Sequence, residues 1–263
     1  QTMSQRLVRA KRRIQTAAIP YQVPPRDLLP ERLAGVLAVV YLLFNEGYAA
    51  TQGEDLVRES LCDEAIRLAR LLAELMPDEP EVLGLLALML LHHARRATRV
   101  DAGGVLVTLD EQDRTRWDRA AIAEGEEALE RALLMRRPGP YQVQAAIAAC
   151  HSTAATASET DWPQIAALYG ELARLAGSPV VELNRAVAVG MADGPQAGLR
   201  LVDALVEARE LREYHLLYAV RADLLRRLGR ADEAASSYRR AIELAPTAGE
   251  RAHLERRLAE LSS

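Results

Sequence analysis

The sequence predicts an all-α protein, a helical-hairpin array of the α-solenoid type preceded by one basic helix. Three observations predict it. Alanine, leucine, arginine and glutamate dominate the 263 residues, while Phe occurs once and strict apolar–polar alternation is nearly absent. Tyr218 to Pro246 reads as helix, tight turn, helix. The second half of that unit recurs upstream at irregular intervals.

The chain opens with Thr2 to Ile14, where Met3, Leu7, Ala10 and Ile14 form an apolar stripe at helical spacing and the opposite face is basic. Residues 1 to 26 hold Arg6, Arg9, Lys11, Arg12, Arg13 and Arg26 and no acid, which is +6. With a net charge of −4, the remainder carries −10. A basic head on an acidic body predicts an anionic partner at one end only. Residues 17 to 30 follow, with Pro20, Pro24, Pro25 and Pro30, and read as a semi-rigid linker and the best domain boundary.

Glu31 to Tyr48 is the next helix, apolar and ending in YLLFNEGY, with Gly47 as its expected terminator. Tyr41, Phe44 and Tyr48 read either as an aromatic core cluster or, with Asn45, Glu46 and Gly47, as a contact surface for the basic segment. Val82 to His93 is the expected most buried helix. Residues 95 to 117 break the pattern: Gly103-Gly104 marks a turn, Val105 to Leu109 an extended piece, and the arginines beside Asp101, Asp110, Glu111 and Asp113 a salt-bridged turn. His92 and His93 are adjacent and diverge on a helix, and no Cys/His spacing supports a metal, so neither metal nor cofactor is expected. Further on, Asp161 and Pro163 fit a helix start, and Asp193-Gly194-Pro195 fits a turn between two helices.

In the closing unit, Tyr218, Ala222 and Leu225, then Gly229, then Ala234, Tyr238, Ala241 and Pro246 resemble the tetratricopeptide (TPR) pattern, departing from it at Arg221. Small residues let two helices approach closely. The corresponding second-helix alanines, Ala65, Ala128, Ala166, Ala197 and Ala234, are spaced 63, 38, 31 and 37 residues apart, an array with insertions. Cys62 and Cys150 sit in apolar helical runs and read as buried thiols of a reducing cytoplasm. The longest apolar runs, 33–44 and 83–91, fall short of the roughly 20 residues a bilayer requires. The helices at 33–44 and 82–91 are also candidate homodimer surfaces.

The opening helix resembles the recognition helix of region 4 in bacterial RNA polymerase sigma factors. Thr2, Ser4, Gln5, Arg6, Arg9, Lys11, Arg12 and Arg13 take the positions that resemblance assigns to DNA contact. YLLFNEGY, GLLALMLLHHARRATRVD, DRTRWD, GPYQVQAAIAACH, TDWPQIAALY and SPVVELNRAVAVGMADGP follow in order. With these the chain resembles extracytoplasmic-function (ECF) sigma factors that carry a long TPR-like C-terminal extension.

The resemblance implies that residues 1–16 are a remnant of the region 4 helix-turn-helix, 17–30 the linker and 31–263 the extension. It implies a non-enzymatic transcription protein acting with RNA polymerase core, promoter DNA and its own sigma domains, and a functional role for Asp193, Gly194 and Pro195. Region 2 and most of region 4 have no counterpart in these residues, and Gln1 stands where an initiating Met is expected, so the chain reads as the end of a longer polypeptide. The alternative is a TPR-type adaptor that binds a peptide or small-molecule signal in its groove. An enzyme is the weakest reading, because His92, His93, His151, His215 and His253 lack partners at any motif spacing.

Overall fold

The computed structural model describes residues 8–9, 12–13, 16–17, 28–48, 59–101 and 107–262. The chain divides into two compact units, Gln1–Ala38 and Val39–Ser263. In the first, Val8, Arg9, Arg12, Arg13 and Thr16 are helical, and the Ala17 N–H donates to the Arg13 carbonyl at 2.9 Å. Helical backbone thus occurs at Thr16, beyond the expected end at Ile14, and Arg9, Arg12 and Arg13 are exposed. Thr2, Ser4, Gln5, Arg6 and Lys11 lie outside the described residues.

Helix α1, Leu29–Tyr48, runs through the division between the units. It starts earlier than the linker reading allowed because Pro30 falls in its first turn, where a missing N–H costs nothing. Gly47 is not its terminator: the helix continues through it, and the residue is buried. In the second unit α2 (Glu59–Leu75) turns Cys62, Ala65, Ile66 and Ala69 inward at helical spacing. Helix α3 (Pro80–His93) begins on a proline and buries 12 of its 14 residues, as its uninterrupted apolar sequence predicts. That burial removes 82–91 as a dimer surface, because its leucines already face the chain's own core. On α1, by contrast, Val39 and Leu42 are each 66% exposed.

Helices α4 (Arg119–Leu134) and α5 (Pro140–Thr153) pack against α3. Asp118 caps α4 by accepting the Ala120 and Ala121 N–H groups at 3.1 Å. The α5 start is capped from a distance: Glu81 of α3 accepts the Tyr141 and Gln142 N–H groups at 3.1 and 3.2 Å, and Gly139 leaves room for the carboxylate. Helices α6 (Trp162–Ala176), α7 (Pro179–Ala192), α8 (Pro195–Glu207), α9 (His215–Arg227), α10 (Ala231–Leu244) and α11 (Ala248–Ala259) follow. Asp161 caps α6 through the Gln164 N–H at 3.0 Å, with Pro163 in the first turn. No strand occurs among the described residues.

The core is shared between consecutive helices. Ile147, Ile165, Leu172 and Ala188 join α5, α6 and α7. Leu183, Leu199, Leu217 and Ala234 belong to a cluster joining α7 to α10, and Ala222, Tyr238, Ala241 and Leu254 to one joining α9 to α11. The closing hairpin matches its sequence reading: Ala222, Ala234 and Ala241 are fully buried, and Gly229 adopts φ 73° in the turn. Arg221, the departure from the pattern, donates to Asp203 at 2.9 Å and to Ser237 at 3.1 Å.

Two of the repeat alanines are misplaced. Ala166 and Ala197 are only half-buried; their inward neighbours are Ile165 and Gly198. Cys150 is likewise half-buried, donating to Gln164 at 3.4 Å, whereas Cys62 is buried.

The expected salt-bridged turn at 95–117 is built differently. Arg96 pairs with Asp118 at 3.5 Å, but Arg114 donates to backbone carbonyls at the end of α5 and Arg99 to the Tyr48 carbonyl at the end of α1, because the last carbonyls of a helix have no partner within it and accept these guanidinium groups. Of the expected extended piece, residues 102–106 lie outside the described residues, and Val107 donates to the Arg99 carbonyl at 2.8 Å.

Candidate functional site

Loop 108–114, α5, α6, α7, α9, α10 and α11 surround a cavity of about 520 Å³. Residues far apart in sequence meet there, including His151, His215, His253, Trp162, Arg114 and Glu250. Each is placed by a local rule. His151 lies in the last turn of α5, where exposed carbonyls favour a basic partner, and Arg114 supplies one. Arg114 is 7% exposed, and its guanidinium donates to the carbonyls of His151 and Ala154 at 2.6 and 2.8 Å and to Thr160 at 3.4 Å. Trp162 begins α6 and meets the His151 ring edge-on at 5.3 Å.

His215 is the first residue of α9 and 7% exposed. Opposite it, Thr247 and Glu250 open α11 as a threonine–glutamate cap. The Thr247 hydroxyl accepts the Glu250 N–H at 3.2 Å and donates to Glu250 Oε2 at 2.8 Å. That arrangement leaves Oε1 facing His215 Nε2 at 3.5 Å, without the alignment of a hydrogen bond. His151 Nδ1 is also buried with no hydrogen-bond partner. Burial, reinforced by Arg95 and Arg114, pulls the His151 pKa down to about 4, so the ring is neutral near pH 7. Burial and the neighbouring Arg256 and Arg257 lower that of His253.

The other charges on the wall are largely engaged. Arg257 bridges Asp223 at 3.3 Å and Glu260 at 2.8 Å, and Arg256 lies 3.8 Å from Glu111. Val187 and Met191 of α7, Leu216 and Ala219 of α9, and Leu254 of α11 supply apolar surface. The site is thus a mixed apolar and hydrogen-bonding receptacle suited to binding. Among the described residues, no group of three or more His, Cys, Asp or Glu is placed to hold a metal ion.

The sequence-predicted residues lie elsewhere. Tyr48 stacks on Phe44 at 5.5 Å and meets His92 edge-on at 5.3 Å. Arg99 lies 3.5 Å over its ring and Arg95 donates to its hydroxyl at 3.0 Å. Burial first, then Arg95 and Arg99, holds the His92 pKa well below its usual value. Asn45 and Glu46 are half-buried beside this cluster. Asp193 is exposed at the end of α7, Gly194 takes φ 95° and ψ 155°, and Pro195 opens α8, so the three residues form a tight surface turn outside the cavity. Below it, α7 and α8 touch through Gly190 and Gly198.

His151, His215, Trp162 and Glu250 escaped the sequence reading as a site because no motif spacing joins them. The Thr247-to-Glu250 cap spacing was the one available signal.

Residues 32–133 match a family model described as a family of unknown function (DUF6596). An uncharacterized protein of Rhizobium meliloti (strain 1021) is 49% identical over 261 residues, covering 99% of this chain and 61% of the relative. The chain thus spans about three fifths of that relative's length. No solved structure matches. Among the described residues no helix is long and apolar enough to cross a membrane.

Proposed function

We propose that this chain is the C-terminal part of an ECF-type sigma factor, and that residues 31–263 are a TPR-like array regulating transcription initiation through contacts with the sigma domains or RNA polymerase. The observation that carries this reading is the exposed, helical Arg9, Arg12 and Arg13 ahead of an acidic body whose described elements are helices. An acidic array competes with phosphate for a basic DNA-reading surface, which gives it a means of control. The succession of motifs resembling those sigma factors also supports the reading. Asp193 is the exposed member of a surface turn, so it is available to a partner without being needed in the core.

The test is promoter-directed transcription by RNA polymerase with the full-length parent, comparing intact protein with a version ending at Pro25 of this numbering and with Asp193→Ala. Both changes are expected to alter output while the protein stays folded. Unchanged output from both sinks the proposal.

A second reading, a TPR-type adaptor for a peptide or small-molecule signal, is favoured by the cavity. A ligand retained by the chain with no effect on transcription would select it.

A further inference from the structure

The cavity contains polar atoms that the protein itself does not satisfy. His215 Nε2 is buried, has no hydrogen bond, and lies 3.5 Å from a Glu250 oxygen that is also turned toward it. His151 Nδ1, on the wall formed by α5, is likewise unpartnered. Buried polar atoms are almost always hydrogen-bonded, so two unpartnered ones on residues lining one cavity call for an exogenous group. Glu250 is not free to swing away and repair this, because Thr247 pins its other oxygen.

Charge decides which group fits. The wall includes four carboxylates (Asp110, Glu111, Asp223 and Glu250) against two arginines, Arg114 and Arg257. The Arg114 guanidinium is spent on the carbonyls of His151 and Ala154, and that of Arg257 on Asp223 and Glu260. An anion would find both arginines engaged, whereas an ammonium group would find Glu250 Oε1, the oxygen that Thr247 leaves free, beside the unpartnered His215 Nε2. Trp162, Val187, Leu216 and Leu254 offer the apolar surface for a flat hydrocarbon body.

We infer that this cavity is a binding site for a small aromatic amine, its ammonium group held by Glu250 and His215 and its ring packed against the Trp162 side. This goes beyond the sigma-factor reading and stands without it, because binding is measured on the protein alone.

The probe is phenethylamine, with 3-phenylpropionate as the anionic analogue of similar shape, titrated into the 263-residue chain while the histidine ring nitrogens are followed by NMR. The expected result is saturable movement of the His215 and His151 ring signals by phenethylamine and none by 3-phenylpropionate. Glu250→Gln keeps the cap, since Gln serves that position, and removes the charge; it should weaken phenethylamine about tenfold. Ala219→Phe should block the cavity and abolish the response, with far-UV circular dichroism reporting that both variants remain folded. Absence of saturable shifts means that water fills the cavity, and overturns the inference. Equal binding of the two probes, or unchanged affinity in Glu250→Gln, overturns it as well.

Discussion

Replacing Gly198 with Ala adds one methyl group at the contact between α7 and α8, and the structure fixes what that methyl meets. An ideal Cβ on Gly198 would lie 2.5 Å from the Ala186 carbonyl oxygen and 2.8 and 3.0 Å from Gly190 Cα and N. The first distance is roughly 0.8 Å inside the ~3.3 Å at which carbon and a carbonyl oxygen normally touch. All three neighbours are backbone, so no side chain can turn aside and the helices must separate.

Overpacking costs about 1–3 kcal/mol, and rigid neighbours put this site near the upper end. Alanine returns up to about 1 kcal/mol of helix propensity, leaving a net loss of about 2 kcal/mol. Gly170, inside α6, provides the control: a Cβ there meets nothing within 4 Å, so Gly170→Ala should stabilise by about 0.5–1 kcal/mol. Urea unfolding of both variants, followed by circular dichroism, measures the difference. A Gly198→Ala protein as stable as wild type would refute the close-contact argument, because the same substitution would then be indifferent to its surroundings.

Stability should also fall with acid in a defined window. His151 is held near 4 in the native state against about 6.5 in an unfolded chain, so between those values the unfolded state binds the extra proton. Its contribution, up to about 3 kcal/mol, is complete above about pH 6.5 and declines as pH drops toward 4; His92 acts in the same direction. Urea midpoints across that range should show the decline, and His151→Gln should flatten it. At the surface turn, Gly194→Ala should cost about 1–3 kcal/mol because φ 95° with ψ 155° belongs to glycine, whereas Asp193→Ala should change stability by under about 1 kcal/mol. Thermal unfolding distinguishes the two, and equal losses would contradict the turn geometry.

Periodicity and helix-end chemistry are local, which is why they were legible. The α3 run announced its own burial, Asp161 and Pro163 announced the start of α6, and Tyr218 to Pro246 announced a hairpin whose alanines are indeed at the contact. Register was harder. Ala197 and Gly198 are both small, and only the approach of α7 shows that Gly198 is the residue without room for a methyl. The loop at 95–117 misled for a related reason: its arginines have acids nearby in sequence, but Arg114 meets the unpaired carbonyls at the end of α5 in space.

By itself, then, the sequence determined the all-helical class, the burial of the 82–93 run, the start of α6, the basic segment and the tight turn at Asp193-Gly194-Pro195, because each depends on residues within a few positions of one another. Tertiary structure alone decided that His151, His215 and Glu250 share a cavity, and that the Oε1 edge of Glu250 faces an imidazole. Those residues come from three helices, α5, α9 and α11, and their meeting depends on how each intervening helix packs on the next, a geometry that accumulates over many contacts and leaves no spacing to read.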